Sequence, residues 1–160
     1  MPEPVVVMKR VLLLAACLSL PLAVTGCDVL NYIWQHIIGH SFSQVDLATL
    51  ENEAGNMSGS VISQGSIPVN SVVGYKTRNG FYGKLAVLAA PASSSLTFRF
   101  TTYNTDSTVK AASTSMTMNG NDYCDLETGD TGPSLSPSDF QLRYGAALFP
   151  QGAASFYVFP

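Results

Sequence analysis

The chain has 160 residues and a formal net charge of −3, and only 12% of its residues are charged. A chain of this length can bury one hydrophobic core, and a mildly acidic, charge-poor surface lacks the basic stripe that nucleic-acid-binding proteins carry. We therefore expect a single globular domain and no nucleic-acid partner.

Residues 1–26 are typical of a secretory signal peptide. Lys9 and Arg10 form a basic pair, and the apolar run of residues 11–23 follows them and leads to small residues. An uncleaved membrane helix is disfavoured, because the run is shorter than the roughly 18 to 20 residues that span a bilayer and Pro21 interrupts it. Met8 directly precedes the basic pair and is a second candidate start of translation.

The next stretch, Val24-Thr25-Gly26-Cys27, resembles the lipobox of bacterial lipoproteins. In that family an aliphatic residue, two small residues and a cysteine are read by the lipidating and cleaving enzymes. The resemblance implies that Cys27 becomes the mature N-terminus and carries acyl chains, including palmitate, that anchor it to an envelope membrane facing the periplasm or the exterior. Cys17 is a competing position, but it would leave only residues 11–16 as the apolar core, shorter than the roughly 7 to 15 that a signal peptide needs.

Asp28 directly follows this cysteine and resembles the inner-membrane retention signal of enteric bacteria. That rule does not extend to all bacteria. The choice between the inner and the outer membrane therefore stays open.

Cleavage before Cys27 leaves residues 27–160, with six basic and ten acidic side chains. This composition provides no basic patch for anionic lipid, so membrane attachment would rest on acylation. Cys124 is then the only cysteine that is neither removed nor acylated, which leaves no internal disulfide. We expect Cys124 to be a small buried side chain, with a reactive thiol as the alternative.

Residues 27–43 are predicted to be the lipidated N-terminus and a tether. Apolar side chains recur at helical spacing, which indicates a short amphipathic helix or an irregular segment. Such a helix would lie in the headgroup region or dock on its own domain. The apolar positions are Leu30, Ile33, Trp34, Ile37 and Ile38.

Residues 44–160 are predicted to form a single β domain. The clearest unit is a hairpin of residues 71–78 and 81–89 around Asn79-Gly80, a pair that tolerates the positive φ angles of a type I′ turn. Residues 96–103 alternate between apolar and polar side chains, as a half-buried strand does. Further strands are predicted at residues 109–118, 123–128, 140–144 and 153–159, with weaker candidates at 45–50, 60–63 and 67–69. Short strands separated by turns favour an antiparallel β-sandwich or partly open barrel.

Residues 73–87 and 96–100 resemble a strand, turn, strand, strand pattern of HmuY-type lipoproteins. A threonine precedes the glycine turn, an aromatic residue and a lysine follow it, and an aromatic-rich strand comes next. The resemblance implies an all-β envelope lipoprotein in a family whose named members capture haem.

Haem capture requires axial ligands, usually histidine or methionine. Met116 and Met118 alternate onto one face of the strand at residues 109–118 and are the candidate haem ligands. Methionines on a strand face are more often core residues. His36 and His40 lie in the tether, outside the matching stretch, so no family ligand is carried over to them.

No pattern of catalytic residues is recognisable, because both histidines lie beside the predicted anchor. Polar oxygen-bearing residues cluster at positions 119–130, but their spacing does not match a calcium-binding EF-hand, and β-turns use the same residue types. Four tyrosines, at positions 75, 82, 103 and 144, would form either a stacking platform for a glycan or protein ligand or part of the core.

We expect a lipid-anchored envelope protein with a non-catalytic binding or scaffolding β domain, no resident cofactor and no metal. Capture of haem or another small ligand is the first alternative. An envelope hydrolase with an unrecognised site is the second.

Overall fold

The computed structural model describes residues 40–63, 66–90, 95–143 and 147–160. In these residues the fold is all-β, as predicted, with nine strands, one short α-helix and one 3₁₀ turn. In chain order the elements are α1 (Leu47–Asn52), the 3₁₀ turn (Ala54–Asn56), β1 (Val72–Lys76), β2 (Tyr82–Ala89), β3 (Ser95–Tyr103), β4 (Val109–Asn119), β5 (Tyr123–Asp125), β6 (Asp130–Gly132), β7 (Phe140–Arg143), β8 (Ala147–Pro150) and β9 (Ser155–Val158). The predicted signal peptide, Cys27 and the predicted tether helix up to residue 39 lie outside the described residues.

The strands form two antiparallel sheets. Sheet A has the order β4-β3-β2-β1-β9, and sheet B has the order β6-β5-β7-β8. Strands β1 to β4 form a meander, the chain then enters sheet B, and β9 returns to pair with β1. The result is a sandwich-like fold in which β4 is an edge strand of sheet A.

The main core lies between the two sheets. Phe98 of β3 and Phe140 of β7 have ring centroids 6.1 Å apart, and Phe140 meets Phe156 of β9 edge-on at 5.8 Å. Along β3 the side chains of Leu96, Phe98 and Phe100 are buried and that of Arg99 is exposed. The predicted alternation is therefore confirmed.

The predicted β1–β2 hairpin is confirmed, but its turn differs from the expected type I′. Thr77 pairs with Phe81, since the Thr77 N–H donates to the Phe81 carbonyl over 2.7 Å, and the Gly80 N–H donates to the Thr77 carbonyl. Gly80 has φ +93°, whereas Asn79 is not among the residues with positive φ. The loop therefore has three residues and ends on a left-handed glycine, the other common hairpin connection.

A tyrosine crosses three strands inside the core. Tyr75 of β1 faces Gly83 of β2, and Gly83 faces Thr102 of β3. A Cβ atom at Gly83 would overlap the Tyr75 ring, so only glycine lets the ring reach Thr102, where the two hydroxyl oxygens lie 2.7 Å apart. Thr102 donates its single hydroxyl hydrogen to the Leu126 carbonyl, so Tyr75 must be the donor to Thr102. Burial raises the pKa of Tyr75 well above its ordinary value, which keeps the donor protonated.

Asp139 joins the two sheets at the hairpin end of the sandwich. Its Oδ1 accepts from the Arg78 N–H in the β1–β2 loop at 2.9 Å, and its Oδ2 accepts from the Leu126 N–H after β5 at 2.8 Å. The side chain is 1% exposed. Burial raises the pKa of this carboxyl, and the two N–H donors offset part of that effect.

The prediction of a strand at residues 45–50 is wrong, because α1 begins at Leu47 with Asp46 as its N-cap. The Asp46 carboxylate caps the helix by accepting from the Thr49 N–H at 2.8 Å and from the Thr49 hydroxyl at 2.7 Å. Leu47 and Leu50, three residues apart, are the buried positions of the helix. Apolar residues at this spacing fit one helical face, and a six-residue helix depends on that packing rather than on propensity.

Other strand predictions differ in detail. Residues 60–63 contribute only an isolated bridge between Ile62 and Leu148, and residues 67–69 form no strand although Ile67 is fully buried. The strand predicted at residues 123–128 is shorter in the structure, since β5 ends at Asp125. Residues 126–129 form a turn, with Gly129 at φ +82°, that leads into β6, which was not predicted. The other unpredicted strand, β8, is an edge strand of sheet B, which is where a strand tolerates the proline at its end.

Candidate functional site

Residues 40–57, which we call the strap, cover the part of the outer face of sheet A formed by β1 and β2. A second hydrophobic cluster joins the strap residues Val45 and Leu50 to Val72 of β1, Ala86 of β2 and Phe159. Gly74 of β1 allows the close approach, because a Cβ atom there would lie 2.9 Å from Leu50 Cδ2 and 3.0 Å from Phe159 Cε2. Residues 40–43, predicted to end the tether, are thus in contact with the β domain through Phe42 and His40.

Lys84 fixes the start of the strap to β2. Its side chain is 6% exposed, and its Nζ donates to the Phe42 carbonyl at 2.7 Å and to the Val45 carbonyl. The same Nζ lies 4.6 Å from the centroid of the Phe42 ring. A buried ammonium is tolerated when its donors are paired, and here both hydrogen bonds go to strap carbonyls.

Beside the strap lies an open cleft of about 250 Å³, which we call the Arg99 cleft. The Arg99 guanidinium carbon lies 4.4 Å from the centroid of the Phe42 ring, so the strap contributes one wall of the cleft and β3 and β4 contribute the rest. The residues lining it are Phe42, Arg99, Phe100, Thr101, Ala112, Ser113 and Thr114.

A β-bulge shapes the β4 side of the cleft. Phe98 pairs with Met116 and Phe100 pairs with Ser113, so Thr114 and Ser115 together face the single residue Arg99. The Ser113 hydroxyl donates to the Ser115 carbonyl at 3.1 Å, which stabilises the bulge locally. Bulges are over-represented beside functional sites, where they redirect side chains.

The polar groups of the cleft are available to a ligand. Within the described residues, the Arg99 side chain makes no ion pair or hydrogen bond, and its guanidinium contacts only the Phe42 ring among the aromatic rings. The side chains of Thr101 and Thr114 likewise have no hydrogen-bond partner among those residues. The cleft therefore presents one guanidinium and two free hydroxyls, and the side chains that line it include neither a carboxylate nor a histidine.

The candidate haem ligands lie on the core side of β4. Met118 is fully buried in the main core, and Met116 is partly buried against the same cluster. Neither methionine lines the Arg99 cleft. His40 is packed against Phe159 with ring centroids 4.9 Å apart, whereas His36 lies outside the described residues.

The remaining candidates have structural positions. Cys124 is fully buried, as predicted, and burial raises the pKa of its thiol well above the ordinary value. Tyr75 belongs to the core, while Tyr82 and Tyr103 pack against the cluster under the strap, so these three form no free platform; Tyr144 lies outside the described residues.

The oxygen-rich stretch at positions 119–130 serves its own turns. The Asp122 carboxylate accepts from the Asn119 N–H at 2.9 Å, and the Asp125 carboxylate accepts from the Glu127 N–H at 2.8 Å. Among the described residues, no three histidine, cysteine or acidic side chains come together as a metal-binding group.

Sequence reasoning missed the roles of Lys84 and Arg99. Both side chains lie on the face of sheet A that points away from the main core, where a charged residue is common. The strap buries Lys84 on that face and forms one wall of the cleft beside Arg99. The sequence offered no specific signal for either role, because the bulge at residues 113–115 and the strap are seen only in the folded chain.

Comparisons with family models, with curated proteins and with solved structures found no match to this chain. In the part of the chain that the structure describes, no helix has the length and apolar character needed to cross a bilayer.

Proposed function

We propose that this chain is a lipid-anchored protein of the bacterial cell envelope whose β domain binds a ligand without catalysing a reaction. The observation that carries the proposal is the lipobox-like stretch ending at Cys27, placed after a basic pair and an apolar run. The cysteine thiol is the nucleophile that accepts a lipid as a thioether. Two or more acyl chains give a stable anchor, because each buried methylene contributes about 0.8 kcal/mol.

The character of the Arg99 cleft supports binding over catalysis. An arginine and hydroxyl groups recognise a ligand through hydrogen bonds, whereas a hydrolytic site needs a nucleophile with a base beside it. The serine in the cleft, Ser113, bonds to the backbone of Ser115 rather than to a base.

Metabolic labelling tests the anchor. The full chain is expressed in a bacterial host with labelled palmitate, and the wild type is compared with Cys27→Ser and with the matched control Cys17→Ser. We expect label in the wild type and in Cys17→Ser, and none in Cys27→Ser, which should also retain its signal peptide. Labelled Cys27→Ser that matures normally would contradict the proposal.

A further inference from the structure

We propose that the Arg99 cleft binds the carboxylate of an acidic sugar residue, of the uronate type. This inference extends the binding part of the proposed function and does not depend on the lipid anchor. It rests on the charge, the geometry and the size of the cleft.

The charge of the cleft matches a monoanion. Arg99 is the one cation among the described residues that line it, and the Nζ of the nearby Lys84 donates to the carbonyls of Phe42 and Val45. A single guanidinium would neutralise the charge of a carboxylate, but it would balance only one of the two negative charges of a phosphate dianion. Among the described residues that line the cleft, no acidic side chain competes for that arginine.

The geometry of Arg99 favours two parallel acceptors. A guanidinium presents a planar fork of N–H donors that matches the two oxygens of a carboxylate. Contact with the Phe42 ring at 4.4 Å restrains the orientation of the guanidinium, which lowers the entropy lost when a ligand binds.

The size and the hydroxyl groups of the cleft point to a sugar. A volume of about 250 Å³ is below the roughly 300 to 1,000 Å³ of sites for drug-sized ligands and suits one monosaccharide unit. The hydroxyls of Thr101 and Thr114 have no hydrogen-bond partner among the described residues, and a hydroxyl can both donate and accept, as recognition of sugar hydroxyls requires.

Amide NMR spectra of the isotopically labelled full chain in detergent micelles test this inference. The probes are glucuronate, glucose, acetate and inorganic phosphate. We expect glucuronate to cause saturable shifts confined to residues 99–101 and 112–114 and the start of the strap. Glucose, which has the same ring without the carboxylate, should cause none, and acetate and phosphate should bind at least about tenfold more weakly.

Three variants define the role of the guanidinium. Arg99→Gln should weaken glucuronate binding by about tenfold or more, because a charge-assisted bidentate contact is lost. Arg99→Lys keeps the charge but not the fork and should give an intermediate loss. The matched control is Arg143→Gln, which removes the same charge from an arginine that lies over Phe149 at 4.7 Å in sheet B, and it should leave binding unchanged.

The outcomes separate this inference from the anchor. No saturable shift with glucuronate, or shifts that survive Arg99→Gln, would overturn the site. Equal affinity for acetate or phosphate would overturn the assignment to a sugar acid. Palmitate labelling of Cys27 reports on a different part of the chain, so either proposal can fail alone.

Discussion

A chain of hydrogen bonds inside the core runs from the Tyr75 hydroxyl through Thr102 to the Leu126 carbonyl. The direction of donation determines how much unfolding free energy is lost when one member is replaced. Tyr75→Phe removes the first donor but leaves Thr102 bonded to Leu126, so we expect a loss of about 1 kcal/mol in unfolding free energy. Thr102→Val leaves both the tyrosine hydroxyl and the carbonyl unpaired and buried. It should cost about 2–4 kcal/mol.

Urea unfolding of the two variants measures this difference. Thr97→Val is the control, because the Thr97 hydroxyl pairs with that of Thr117 at the exposed surface, and it should change stability by less than about 0.5 kcal/mol. A larger loss for Tyr75→Phe than for Thr102→Val would contradict the deduced direction of donation.

Gly83 is required by the same tyrosine. In Gly83→Ala the new methyl group would overlap the Tyr75 ring, which must move away from Thr102, so we expect a loss of about 3 kcal/mol from strain and the broken hydrogen bond. Thermal and urea unfolding give the value. The matched control, Gly132→Ala in β6, has no atom within 4 Å of the added Cβ and should be nearly neutral. Equal stability of the two variants would refute this account of Gly83.

Among the elements of the fold, the strap depends on Lys84 for the hydrogen bonds that attach its start to sheet A. Lys84→Met keeps the apolar stem but removes both hydrogen bonds to the carbonyls of Phe42 and Val45, and we expect a loss of about 2–4 kcal/mol. Faster hydrogen exchange should be concentrated in residues 42–50, because those residues lose their hydrogen bonds to Lys84 and keep only the apolar contacts of Val45 and Leu50.

The control for the strap is Lys76→Met. Lys76 is only partly buried, and its Nζ contacts the Tyr82 ring at 5.4 Å without holding a strap carbonyl. It should leave exchange in the strap unchanged. Uniform acceleration across both sheets in Lys84→Met would mean that the lysine supports the whole fold rather than this segment.

Local sequence patterns predicted the elements whose structure depends on local interactions. The β1–β2 hairpin follows from Asn79-Gly80, and the alternation in β3 follows from the pleat of a half-buried strand. Helix α1 was not predicted because Val45 and Leu47 alternate as in a strand, and a six-residue helix is too short to show a clear helical period. The Arg99 cleft was not predicted either, because it forms only where the strap, β3 and β4 meet in the folded chain.

The unfolding free energy of the whole protein at acidic pH depends on aspartates that change it in opposite directions. Hydrogen bonds from Thr49 and Thr108 lower the pKa of Asp46 and Asp106, so their stabilising contributions are lost as the pH falls below the ordinary value of 3.8. Asp139 behaves oppositely, because burial raises its pKa and the folded state binds its proton more readily than the unfolded state. Its contribution is fully present below 3.8 and is lost as the pH rises through its folded pKa.

These two effects occupy different pH windows, so one variant isolates Asp139. In Asp139→Asn an amide group replaces one of the two oxygens that accept from the N–H groups of Arg78 and Leu126, and the variant should be less stable at every pH. Of these two proteins only the wild type has the Asp139 carboxyl and gains stability from it as the pH falls toward 3.8, so the difference in their unfolding free energies should widen on acidification. Urea midpoints measured from neutral pH down to about pH 4 test this, with Asp106→Asn as the control that keeps the gap to the wild type constant over that range. A gap that narrows on acidification would mean that the Asp139 carboxyl is held ionised by its two N–H donors more strongly than burial favours the neutral form.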